Sequence, residues 1–133
     1  MYLKYSIGFL IASFVQAAII MLTEALGISY LGAKFTAIQL ILHVLAGQAA
    51  GYVLLFTLRS ADNIQHINVG ITGSIFGLIV WAVILTINSM RGAVRAPWNQ
   101  GVSSMLSSMF AFVIYGIIST YTIKKYGYKK AEA

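Results

Sequence analysis

Apolar residues run almost unbroken through four stretches of this chain, about 5–26, 36–58, 67–88 and 101–123, and polar residues collect in the short connectors between them. Each stretch is close to the ~20 residues an α-helix needs to cross the hydrocarbon of a bilayer. The pattern predicts an all-α, polytopic membrane protein, a bundle of four transmembrane helices. The whole chain, 1–133, reads as a single transmembrane domain that ends in a short basic C-terminal tail.

Composition strengthens this reading. Hydrophobic residues make up 59% of the chain and charged residues 9%, against about a quarter charged in ordinary soluble domains. Once four spans are placed, no length remains for a soluble domain. Lys4, the apolar run after it and Val15, Gln16 and Ala17 imitate a secretory signal with its cleavage site. The run continues through Ala18 to Met21, however, so the first helix is expected to be retained.

Basic residues set the expected orientation, because Lys and Arg are held on the cytoplasmic side during insertion. Four spans put both termini on one side, together with Lys4, Arg59, Lys124, Lys125, Lys129 and Lys130, while Lys34, Arg91 and Arg95 fall on the other. Both termini are therefore expected in the cytoplasm. Lys124 and Lys125 are candidate contacts for anionic headgroups. Arg91 and Arg95, four residues apart in the loop with Pro97 and Trp98, are candidates for gripping a phosphate or carboxylate. The formal charge of +6 sits beside spans and has no soluble recognition fold with it, so nucleic acid is not an expected partner.

Helical spacing gathers small and polar positions onto one face of each span. In the first span these are Ser6, Ser13, Ala17 and Glu24, and in the second Thr36, Gln39, His43, Gly47 and Ala50. The third span aligns Gly70, Gly73, Ser74, Gly77, Trp81 and Asn88, and the fourth Ser104, Ser107, Ser108, Ala111, Tyr115 and Thr122. Gly47 with Gly51, and Gly73 with Gly77, have the spacing that lets transmembrane helices approach closely. They are the expected packing positions.

Placed by depth, the polar side chains favour the outer half of the expected topology, which suggests a polar cavity open to the outside. Its candidate lining is Glu24, Gln39, His43, Trp81, Asn88, Ser104, Ser107 and Ser108, with His43 at the centre. Each has a structural alternative. A lone intramembrane His commonly hydrogen-bonds a neighbouring helix, and Glu24 at an interface can reach water or pair with Lys34, Arg91 or Arg95. Asp62 and Asn63 suit a turn or helix cap in the connector before the third span.

Catalytic and metal chemistry find little support. No cysteine is present, which removes thiolate catalysis, iron–sulfur clusters and cysteine-bound zinc. His43 and His66 are expected roughly 30 Å apart along the helical rise, and the only acids, Glu24, Asp62 and Glu132, fall in different layers. No zinc-protease, nucleophile-elbow or phosphate-loop motif occurs. No metal site, cofactor or enzymatic activity is expected.

Two segments carry a family resemblance. Gly73 to Trp81, GSIFGLIVW, and Trp98 to Gly116, WNQGVSSMLSSMFAFVIYG, with an arginine- and proline-containing loop between them, resemble the YqhR and YagU type of small bacterial membrane protein. The resemblance covers the second half of the chain and implies four helices, a bacterial cytoplasmic (inner) membrane and no assigned reaction. The chain departs from the YagU type where that type has an acidic residue in its last helix, near Ser107 and Ser108 here. Small multidrug exporters need a Glu in the middle of the first helix, where this chain has Gln16; quinone-linked thiol oxidoreductases need cysteines.

The expected function is that of a noncatalytic accessory or scaffold subunit that binds membrane lipids or the transmembrane helices of another membrane protein or of a second copy. The alternative is a small transporter or channel-like protein built on the cavity around His43.

Overall fold

The computed structural model describes residues 3–28, 36–60, 67–92 and 97–132, with the side chains of residues 60 and 127–132 outside the description. Four helices follow one another: α1 (Leu3–Ala25), α2 (Ala37–Ser60), α3 (Val69–Met90) and α4 (Val102–Glu132), with a 3₁₀ turn at Pro97–Asn99 before the last. All four are long and apolar enough to cross a membrane. The chain folds as a polytopic four-helix protein. Among the residues singled out from sequence, Lys34, Asp62, Asn63, His66 and Arg95 lie outside the described residues.

Helix ends fall where local chemistry satisfies the orphan backbone groups. Gly27 (φ 75°) follows α1 in the left-handed region, which glycine enters without a side-chain clash. The amide of Gly27 bonds the Glu24 carbonyl and that of Ile28 bonds the Thr23 carbonyl, a Schellman closure. Thr36 Oγ1 accepts from the Gln39 amide at the start of α2 (3.3 Å), and Asn68 Oδ1 accepts from the Ile71 amide at the start of α3 (3.1 Å). Asn68 is therefore the α3 cap among the described residues. The last helix runs past its expected end at about 123 and continues to Glu132. Its basic tail, KKYGYKKAE, contains no proline, and Lys, Ala and Glu are good helix formers.

Packing follows the order α2, α1, α4, α3. The central helix, α4, lies between α1 and α3, while α2 packs mainly on α1 and only lightly on α4; α2 and α3 scarcely touch. Two apolar clusters fill the interior. Tyr5, Phe9, Leu54, Leu55 and Ile123 form one at the end that carries the N-terminus of α1 and the C-terminal half of α4, here called the termini end. Towards the opposite end Ile20, Leu85, Ala111 and Phe112 form the other, with Trp81 against it. Bulky aliphatics such as Ile38, Ile41, Val53, Ile71, Ile75 and Ile79 point outwards and are exposed. That is the inverse of a soluble protein's surface and suits acyl chains as the solvent.

Candidate functional site

A band of polar side chains runs through the interior from the apolar cluster at the termini end towards the other, and its members come chiefly from α1, α2 and α4. His43 of α2 places Nε2 2.9 Å from the carbonyl oxygen of Ser13 in α1. Since a carbonyl only accepts, Nε2 carries the proton in this bond. Gln48 donates from Nε2 to the Ser6 carbonyl at 2.8 Å, and the Tyr52 hydroxyl bonds the Ser6 hydroxyl. From the other side, the Tyr115 hydroxyl of α4 donates to the Gly47 carbonyl (2.5 Å), and both residues are buried. These bonds strap α2 to its neighbours.

This arrangement fixes the depth of α2. Gly47 lies against Ser13 and Gly51 against Phe9, so the middle of α2 is level with the middle of α1, and the long Gln48 and Tyr52 side chains reach from there towards the first turns of α1 at Ser6. Sequence counting could not supply this pairing, because span length says nothing about relative register.

One small cavity adjoins His43. It holds about 30 Å³ and is lined by Gln16, His43, Ala46, Gly47, Ala50, Val80, Ile84, Phe112 and Tyr115. A water needs roughly 10 to 15 Å³ of such volume, so about two fit. The lining is mostly apolar, with Gln16, His43 and Tyr115 as its polar members.

Only His43 of the eight cavity candidates lines it. Gln39, one turn earlier, is exposed at the start of α2. Glu24 stands about 16 Å further along the α1 axis than Ser13, out of reach of His43. Asn88 turns its amide back onto the Ile84 carbonyl of its own helix (2.9 Å). Ser107 and Ser108 likewise donate to carbonyls three residues earlier, those of Ser104 and Met105, the local bonding open to serine within a helix. Ser104 is fully buried in α4. Trp81 does reach across: its indole Nε1 donates to Ser108 Oγ at 2.9 Å, joining α3 to α4. Its ring also meets Trp98 edge to face, with centroids 5.9 Å apart. The expected ring of polar groups is therefore dispersed into separate local and interhelical bonds.

The glycine candidates all sit at helix contacts. Gly47 faces the Ser13 hydroxyl, and a methyl on Gly51 would come 2.5 Å from the Phe9 ring. Gly73 and Gly77 press against the α4 backbone at Ile117 and Phe112. Sequence reading missed their counterpart, Gly116, which opposes both glycines from α4. Its signal was present: a glycine inside an apolar span marks close approach of another backbone. Among the anion candidates, Arg91 is exposed beyond the end of α3. Lys124 donates to the Ile67 carbonyl ahead of α3 (2.8 Å), which makes it a strap between helices, and Lys125 is exposed.

Among the described residues, no group of three His, Cys, Asp or Glu side chains is placed to hold a metal ion. No family model, curated protein or solved structure matches the chain.

Proposed function

We propose that this chain is a noncatalytic accessory or scaffold subunit of a bacterial cytoplasmic membrane, with both termini in the cytoplasm. What carries the reading is the use made of the interior polar groups. His43, Gln48, Tyr52, Trp81 and Tyr115 are spent on bonds between helices, and the cavity beside His43 holds about 30 Å³, far below the roughly 300 Å³ at which small-molecule pockets begin. Such an interior suits shape more than turnover. Exposed apolar side chains such as Leu45 of α2 and Ile79 of α3 leave surface for lipid or a neighbouring transmembrane helix.

A photo-crosslinker at Leu45 or Ile79, activated in native membranes, tests the reading. A discrete adduct with another membrane protein or a second copy supports the subunit role. Adducts with lipid alone at both positions would remove the partner from the proposal.

The transporter reading keeps one observation, the cavity lined by His43, Gln16 and Tyr115. Water-soluble probes reaching a cysteine placed at Ala46, from one side of the membrane only, would favour it.

A further inference from the structure

Beyond the packing role, the termini end assembles a cationic clamp from three different helices. Tyr5 of α1 and Tyr126 of α4 meet edge to face, with ring centroids 6.4 Å apart. Around this two-ring platform stand Lys4, with Nζ 5.2 Å from the Tyr126 centroid, and Lys125, with Nζ 5.5 Å from the same centroid. Arg59, near the end of α2, places its guanidinium 5.9 Å from the Tyr5 centroid. The two ammonium groups on one ring lie at most about 11 Å apart, near enough for their flexible stems to bring both to one headgroup.

From this convergence we propose that Lys4, Arg59 and Lys125, set around Tyr5 and Tyr126, bind the phosphodiester headgroup of an anionic glycerolipid. Several observations favour a lipid over a soluble anion. The clamp lies at the end of the apolar spans, where headgroups are found. Its tyrosines are rings of the kind that settle at the membrane–water interface. Immediately inward, the platform is continuous with Phe9, Leu54 and Leu55, and the exposed Leu3, Ile7 and Phe56 give an acyl chain apolar surface to follow. Lys124 is not part of the clamp, since it is engaged with the Ile67 carbonyl. Guanidinium and ammonium groups suit a phosphodiester, which accepts several charge-assisted hydrogen bonds.

The inference rests on the membrane-spanning fold and not on the accessory role, so lipid binding and crosslinking to a partner can fail independently. The test uses the full chain in phosphatidylcholine nanodiscs doped with phosphatidylglycerol, with bound lipid counted by native mass spectrometry. The wild type is expected to retain phosphatidylglycerol over phosphatidylcholine. Each neutralisation, Lys4→Gln, Arg59→Gln or Lys125→Gln, is expected to lower that preference roughly fivefold. Lys4→Arg combined with Lys125→Arg keeps the charge and is expected to keep the preference. Lys34→Gln, in the connector between α1 and α2, removes an equal charge away from the clamp and should leave it unchanged. The proposal is overturned if Lys34→Gln lowers retention as much as the clamp variants do, which is bulk attraction, or if excess inorganic phosphate displaces the lipid completely. It is equally overturned if the single neutralisations, checked for native helicity, retain phosphatidylglycerol like the wild type.

Discussion

Gly116 of α4 lies so close to Gly77 of α3 that a methyl group built on Gly116 would stand 2.8 Å from the Gly77 amide nitrogen and 3.0 Å from its Cα. The obstacle is backbone, which cannot rotate aside. The same methyl would collide with the Gly73 carbonyl oxygen. Gly116→Ala is therefore expected to prise α3 from α4 and to destabilise the fold by about 1 to 3 kcal/mol, the cost of overpacking. Gly70→Ala serves as the comparison, because Gly70 is exposed and its added methyl would meet only Asn68 Oδ1 at 3.4 Å. Reversible unfolding in mixed micelles should leave Gly70→Ala within about 0.5 kcal/mol of wild type. Equal losses at both positions would mean that the glycine seam is not what holds α3.

The Trp81–Ser108 bond offers a second measure of the same interface. The indole Nε1 donates to Ser108 Oγ, and that hydroxyl donates in turn to the Met105 carbonyl of its own helix. Trp81→Phe keeps an aromatic ring and removes the donor, while Ser108→Ala removes the acceptor. A double-mutant cycle on the two is expected to give a coupling of about 0.6 kcal/mol and no more than about 1.7. A coupling near zero would place the stability of the α3–α4 contact in the glycines alone.

Different parts of this molecule are legible in its sequence to different degrees. The four spans follow from transfer energetics, which act on each segment separately, and the observed helices begin and end within about two residues of expectation apart from the continuation of α4. Gly47, Gly51, Gly73 and Gly77 were legible for a similar reason, since a missing side chain in a span has few uses other than close approach. The grouping of polar residues was not legible. Gln39, His43 and Asn88 can be assigned to faces of their own helices, but which helix each face meets depends on how the helices pair. Pairings such as Gln48 with Ser6 and His43 with Ser13 connect residues far apart in sequence. The clamp at Tyr5 and Tyr126 was hidden for the same reason, its members lying on three helices.

His43→Leu tests the meaning of the His43–Ser13 contact. The Ser13 carbonyl that His43 bonds belongs to the interior of α1 and accepts, as in any α-helix, from the amide four residues on. Losing the imidazole therefore leaves no orphaned acceptor. The variant is expected to fold normally and to change stability by less than about 1 kcal/mol in either direction. Thermal unfolding followed by far-UV circular dichroism checks this. Tyr115→Phe is the sterner change, because its hydroxyl is fully buried where α2 crosses α4 and reaches the Gly47 carbonyl. It should cost up to about 1.7 kcal/mol. If His43→Leu proves the more damaging of the two, the imidazole does more than strap α2 to α1.

Ser13 and Gly47 permit a rescue experiment that the α3–α4 seam does not. A methyl on Gly47 would collide with the Ser13 hydroxyl, while the next atoms it meets ask for far less: Ser13 Cβ at 3.2 Å has to give by a few tenths of an ångström, and the Tyr115 ring at 3.6 Å is in ordinary contact. The obstacle is thus one oxygen atom. That oxygen is buried and has no hydrogen-bond partner among the described residues, so Ser13→Ala removes an unsatisfied polar group and is expected to be neutral or mildly stabilising. The Ser13 carbonyl stays to receive His43. Gly47→Ala alone should destabilise by about 1 to 3 kcal/mol through overpacking, and adding Ser13→Ala should recover most of the loss, a favourable coupling measurable in a double-mutant cycle. For Gly116→Ala no single truncation can do the same, because its nearest obstacles are the backbone atoms of Gly73 and Gly77. Failure of Ser13→Ala to rescue Gly47→Ala would mean that α2 meets α1 at a different register from the one set by His43 and Gln48.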